Sequence, residues 1–93
     1  MIFEWNEIKS KKNLAKHGVR FEEAQVIWTD ENALEFYDPE HSEDEDRFIR
    51  VGMNIKKGVL FVVFCEKDEG NIIRIISARK ATASERKDYE EQL

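Results

Sequence analysis

One proline, one cysteine and two histidines set the first limits on this 93-residue chain. Cys65 on its own rules out an internal disulfide. With His17 and His41 far from it in sequence, it has no partners for a thiolate–imidazole zinc site. Four scattered glycines cannot build a phosphate loop of the Gly-x-x-x-x-Gly-Lys kind. The longest uninterrupted apolar run, Val59 to Cys65, falls well short of the roughly 20 residues of a membrane span. Met1-Ile2-Phe3-Glu4-Trp5 lacks the basic start and apolar core of a signal peptide. These absences lead to the expectation of a soluble, cytoplasmic protein with no membrane partner and no cofactor. The length allows one core, hence a single domain over residues 1–93.

What is present in excess is charge, at 38% of residues against 41% hydrophobic, which suits a small core under a charged skin. The net charge of −5 argues against a polyanion binder until its distribution is read. Residues 9–20 carry Lys9, Lys11, Lys12, Lys16 and Arg20 with no acid. Residues 38–46 carry Asp38, Glu40, Glu43, Asp44, Glu45 and Asp46 with no base. From Asn71 to Lys87, Arg74, Arg79, Lys80, Arg86 and Lys87 face the single acid Glu85. Ions respond to the local field, so a basic face coexists with an acidic loop. The acidic run is not a calcium loop, because Glu43 stands where the tight turn needs glycine.

Periodicity gives the order helix, helix, four strands, helix. Asn6 is an N-cap for a helix to about Lys16, with Ile8, Leu14 and Ala15 as its apolar side and His17-Gly18 as its stop. Phe21 to Trp28 forms a second helix with Phe21, Ala24, Gln25 and Trp28 on one stripe. Strands are expected at Ala33–Tyr37, Arg47–Met53, Val59–Cys65 and Ile72–Ala78, joined by Lys56-Lys57-Gly58 and Asp68-Glu69-Gly70-Asn71 hairpins. Thr82-Ala83-Ser84-Glu85 has capping-box spacing and opens the last helix. The expected class is α+β, an antiparallel sheet of about four strands with two N-terminal helices and one C-terminal helix.

The fourth strand carries the most chemistry. Arg74 stands among four isoleucines, and Arg79-Lys80 closes the segment. Unbroken alternation puts Arg74 and Lys80 on one face and Arg79 on the other, unless Arg79 is re-aimed where the strand ends. A guanidinium among apolar neighbours needs an anion. That anion is either a carboxylate such as Glu66 or Glu35, or a substrate phosphate that the guanidinium grips with its two-pronged edge. His41 reads as a solvated loop residue, His17 as a capping cation, and Tyr89 as a packing residue or a phenol donor. Cys65 reads as a core thiol. Trp5 and Trp28 read as docking residues of the core.

Taken together, Phe3-Glu4-Trp5, Asn13-Leu14-x-Lys16-His17-Gly18-Val19-x-Phe21-x-Glu23-Ala24, Asp38-Pro39-x-His41-Ser42 and Arg74-Ile75-Ile76-Ser77-Ala78-Arg79-Lys80-Ala81-Thr82 resemble the BrnT toxin family, from Phe3 to about Glu90. The resemblance implies a RelE-like fold. It also implies an endoribonuclease toxin of a type II toxin–antitoxin pair that inhibits translation. The implied partners are RNA, a BrnA-like antitoxin and, through the antitoxin, operator DNA. Metal-independent RNA cleavage then gives roles to specific residues. Arg74 and Arg79 bind the phosphate with Lys80 adding field, while His41, Glu66 and Tyr89 are the proton-transfer candidates. Lys12, Lys16 and Arg50 are the expected RNA contacts. Two alternatives stay open: a non-catalytic half of an operator-binding autorepressor, and a metal-dependent hydrolase built on His41 with Glu43, Asp44 or Asp46.

Overall fold

The computed structural model describes residues 1–41 and 45–93, His41 by its backbone alone. In chain order it contains β1 (Ile2–Glu4), α1 (Glu7–His17), α2 (Phe21–Gln25), β2 (Leu34–Asp38), β3 (Arg47–Asn54), β4 (Gly58–Lys67), β5 (Ile72–Lys80) and α3 (Ala83–Glu91). Short 3-10 turns follow α2, β2 and β4. Among the described residues no helix is long and apolar enough to cross a membrane.

The sheet has five strands in the order β1-β5-β4-β3-β2, and it is mixed rather than antiparallel. This corrects the expected four-stranded antiparallel sheet. Ile2, Phe3 and Glu4 pair parallel with Ile72, Ile73 and Arg74. Three residues are too few to show alternation, and a partner so distant in sequence leaves no local turn signal. The other strands and all three helices fall where periodicity put them, within a few residues.

Helix α1 begins and ends as its caps dictate. The Asn6 carboxamide accepts from the Lys9 N–H at 3.1 Å. Gly18, at φ 72°, donates its N–H to Leu14 in the left-handed conformation that glycine adopts without a Cβ clash. Its buried side differs from the expected one: Ile8 is 67% exposed, and Ser10 and Asn13 face inward.

The reason lies in the sheet. β1 pairs with β5 only as far as Arg74, so α1 rather than a strand flanks the rest of β5. The Asn13 side chain replaces the missing strand neighbour. It donates to the Ala78 carbonyl at 2.7 Å and the Val19 carbonyl at 2.9 Å, and accepts from the Ala78 N–H at 3.2 Å. Buried backbone groups are satisfied this way, which a polar residue achieves and Ile8 cannot.

The main core forms between α2, with its 3-10 extension, and one face of the sheet. It contains Val19, Phe21, Ala24, Ile27, Leu60, Val62, Phe64, Ile73, Ile75 and Ala78. Trp28 packs edge-on between Phe3 and Phe64, at 5.2 and 4.9 Å between centroids. Gly52 allows the close approach, since a Cβ there would lie 3.0 Å from that of Ile27. Helix α3 covers one end of the opposite face, where Tyr89 packs with Val51 and Val59. The remainder of that face is open to a depression of about 360 Å³ floored by Ile49, Phe61 and Val63.

Candidate ribonuclease face

A β-bulge decides which side chains share this open face. Val63 pairs with Ser77 but Phe64 pairs with Ile75, so Ile76 is an extra residue in β5. An extra residue reverses the alternation beyond it. Ile73 and Ile75 point into the core before the bulge, and Ala78 does so after it. Arg74 and Arg79 therefore lie on the same, open face. Lys80, opposite the buried Leu60, belongs to the other face. Unbroken alternation gives the reverse grouping, and the bulge corrects it.

The two arginines lean apart. Arg79 reaches over β4, with its guanidinium carbon 3.9 Å above the Phe61 ring. It grips Glu85 with both prongs, at 2.7 and 2.9 Å. These hydrogen bonds hold the Arg79 pKa above its ordinary value and the Glu85 pKa below its own, so both are charged at neutral pH. Glu85 also accepts from the Thr82 N–H at 2.8 Å, closing the capping box of α3. Arg74 reaches toward β1 instead and meets Glu4 at 3.4 Å, with Lys67 on the other oxygen of that carboxylate. Its anion is thus Glu4, and neither Glu66 nor Glu35. Both arginines are paired, yet 34% of the Arg74 side chain and 35% of the Arg79 side chain remain exposed. Neither is sealed from an incoming anion.

Around the depression stand Asp38, Glu40 and Arg47 on one side and Ile76 and Ser77 of the bulge on the other. Ile76 and Ser77 also line a second groove of about 290 Å³, whose far wall is α1 with Lys9, Lys12, Lys16 and His17. Lys12 and Lys16 are therefore brought beside β5.

Other expected site residues are placed elsewhere. Arg50 lies on the core-side face, its side chain only 17% exposed, bonded to Glu35 at 2.7 Å and stacked 5.3 Å from the Trp28 ring centroid. Its bond to Glu35 and its stacking on Trp28 brace the sheet, on the face opposite Arg74 and Arg79. Tyr89 is buried, and its hydroxyl donates to Asp30 at 2.5 Å. Burial, then Asp30, pushes its pKa up to about 12, which unsuits it to proton transfer near neutrality. Glu66 pairs with Ile73 and shares the core-side face, turned away from Arg74 and Arg79. The His41 side chain lies outside the described residues, as do Glu43 and Asp44 of the metal-centre alternative. Among the described residues no group of three His, Cys, Asp or Glu side chains is arranged to hold a metal ion. Cys65 is a buried thiol whose pKa burial, then Glu45, raises to about 12, in keeping with a core role.

Sequence reasoning missed Phe61, Ser77 and the second role of Glu85. The capping-box spacing located Glu85 but not its partner, because that partner is fixed by the β5-to-α3 turn. No local signal marks the bulge, since Ile72-Ile73 is an adjacent pair like Ile75-Ile76 and pairs in unbroken register.

Three helices on a mixed five-stranded sheet, with one sheet face covered only at one end and carrying Arg74 and Arg79, define a small α+β domain. The chain belongs to the family of BrnT ribonuclease toxins of type II toxin–antitoxin systems, whose family model matches residues 5–85. Membership implies a protein antitoxin as partner. The fold is similar to that of the Brucella abortus ribonuclease toxin BrnT, known from a crystal structure. The TM-score is 0.65 at 22% identity, over 88% of this chain and 99% of that one. No curated protein matches the chain significantly.

Proposed function

We propose that this chain, acting as one domain over residues 1–93 in the cytoplasm, is an endoribonuclease that cleaves RNA without a metal and so inhibits translation. The carrying observation is Arg79: the bulge turns it to the open face, where it stays a third exposed beside Phe61. In the reaction the ribose 2′-OH attacks the adjacent phosphorus and loses its proton to a base. The bond to the 5′-oxygen breaks, and that oxygen takes up a proton, leaving a 2′,3′-cyclic phosphate. Charge that builds on the phosphoryl oxygens is met by the Arg79 guanidinium, which exchanges one or both of its bonds to Glu85 for the substrate. Arg74, leaning toward β1, binds a neighbouring part of the strand. The proton-transfer role falls to His41, whose backbone turn, Pro39–His41, includes the Glu40 that borders the depression.

The antitoxin in this reading is BrnA-like and also binds operator DNA, so that the pair represses its own transcription. Asp38, Glu40, Glu45 and Asp46 offer a basic segment of that partner an acidic surface.

The test is RNA cleavage by purified protein in excess chelator. Folded Arg79→Ala should lose about a hundredfold or more of the rate, and Arg74→Ala less. Full activity in Arg79→Ala sinks the assignment, and loss of wild-type activity with chelator sinks metal independence. A second reading, a non-catalytic half of an autorepressor, draws on the pairing of both arginines with Glu85 and Glu4. It predicts intact RNA alongside tight antitoxin binding.

A further inference from the structure

Helix α1 presents Lys9, Lys12 and Lys16 on one side, at intervals of three and four residues that stack on a single helical face. Together with His17 they form one wall of the groove whose other wall is Ile76 and Ser77 of the β5 bulge. Among the described residues no carboxylate lines this groove. Among the described residues, none of the three lysines is in an ion pair. Lys11, one residue away, faces the other side of the helix beside Glu7 and Glu22. In a chain of net charge −5, three adjacent lysines without acids stand out as a local positive field.

The groove adjoins the depression on the open face across Ile76 and Ser77, which line both. A strand in the groove that crosses the bulge therefore arrives beside Phe61 and Arg79. Three exposed lysines spread over roughly 10 Å of helix match the backbone of an extended strand better than one compact phosphate group. Ser77 adds a hydroxyl at the crossing point.

We propose that the α1–β5 groove is a sequence-independent track for the sugar–phosphate backbone of single-stranded RNA, leading it over the Ile76–Ser77 bulge onto the catalytic face. The track rests on the ribonuclease reading, and extends it with a path, a polarity of charge and the added contacts Lys9, His17 and Ser77.

The probe is a labelled single-stranded oligouridylate with 2′-O-methyl groups, which cannot be cleaved by 2′-OH attack, titrated by fluorescence anisotropy across salt concentrations. Each lysine–phosphate contact contributes about 0.7 to the slope of log affinity against log salt, so the Lys9→Gln/Lys12→Gln/Lys16→Gln variant should be shallower by about 2. Between about 50 and about 200 mM salt, wild type should then lose about twentyfold more affinity than the variant. The comparison protein is Lys56→Gln/Arg86→Gln/Lys87→Gln, equal in net charge and altered at exposed sites that line neither the groove nor the depression. It should keep the wild-type slope. An unchanged slope in the α1 variant, an equal fall in the comparison protein, or failure of wild type to bind the oligonucleotide overturns the track. Cleavage of unmodified RNA is scored separately. Wild type that binds the methylated strand on α1 yet leaves RNA intact overturns the ribonuclease reading and keeps the track.

Discussion

Arg79 and Glu85 meet prong to prong at 2.7 and 2.9 Å, and the same Glu85 carboxylate closes the N-terminus of α3 through Thr82. One acid thus holds a helix end and the cation assigned to the substrate phosphate. The pair is partly exposed, so its two members hold each other without being locked together. An arriving phosphate competes with Glu85 for an oriented guanidinium.

Replacing Glu85 with Gln should separate these two roles. Loss of the charge-assisted bonds and the weakened capping box should cost about 1–2 kcal/mol, read as a lower urea midpoint. RNA affinity should rise, because Arg79 no longer has an internal competitor. A variant that is destabilised and also binds RNA less tightly would show that Glu85 orients Arg79 more than it competes for it.

The Glu85 pKa is held down chiefly by the Arg79 hydrogen bonds, so its contribution to stability has a defined pH window. A carboxyl with a depressed folded-state pKa stabilises fully above its unfolded value and loses that contribution as pH falls through the folded one. Wild type should accordingly lose stability as pH drops below about 4.5, and Glu85→Gln should lose less over the same range. Denaturant melts at several acidic pH values measure this. Parallel curves for the two proteins would argue against it.

Tyr89 has the opposite sign. Burial and Asp30 raise its pKa to about 12, so the folded state retains the phenolic proton longer than the unfolded chain does. Its stabilisation is complete below about pH 10 and disappears as pH rises toward 12. Tyr89→Phe should be less stable by about 1–2 kcal/mol at neutral pH and should show a flatter alkaline decline. RNA cleavage per folded molecule should be unchanged, whereas a phenol acting in catalysis would take activity with it.

Asn13→Ala should be among the more damaging single changes. It leaves the Ala78 N–H and the Ala78 and Val19 carbonyls short of partners in a buried place, at a cost of about 2–4 kcal/mol. Thermal unfolding measures the loss. A drop no larger than that of an exposed α1 substitution such as Ile8→Ala would contradict the strand-replacing role.

Arg50→Lys should weaken the fold and leave RNA binding alone. Lys cannot reproduce the bond to Glu35 together with stacking on Trp28. Because Lys keeps the charge, the salt slope is read in Arg50→Gln, where a reduced slope for oligonucleotide binding would restore Arg50 as an RNA contact.

The sequence by itself determined the three helices, four of the five strands and the family, since caps, hairpin turns and alternation are local properties of neighbouring residues. Asn6, Gly18 and Thr82 end their helices through bonds spanning only a few positions, so each was legible where it stood. Tertiary structure alone decided the parallel pairing of β1, the inward side of α1 and the grouping of the cations. All three depend on which distant segment lies alongside. Ile2 finds Ile72, Asn13 serves the edge of β5 that β1 leaves uncovered, and the unpaired Ile76 sends Arg79 rather than Lys80 to the face of Arg74. A one-residue bulge in a pleated strand reverses every later side chain, and nothing in the local alternation of β5 fixes where that residue is inserted.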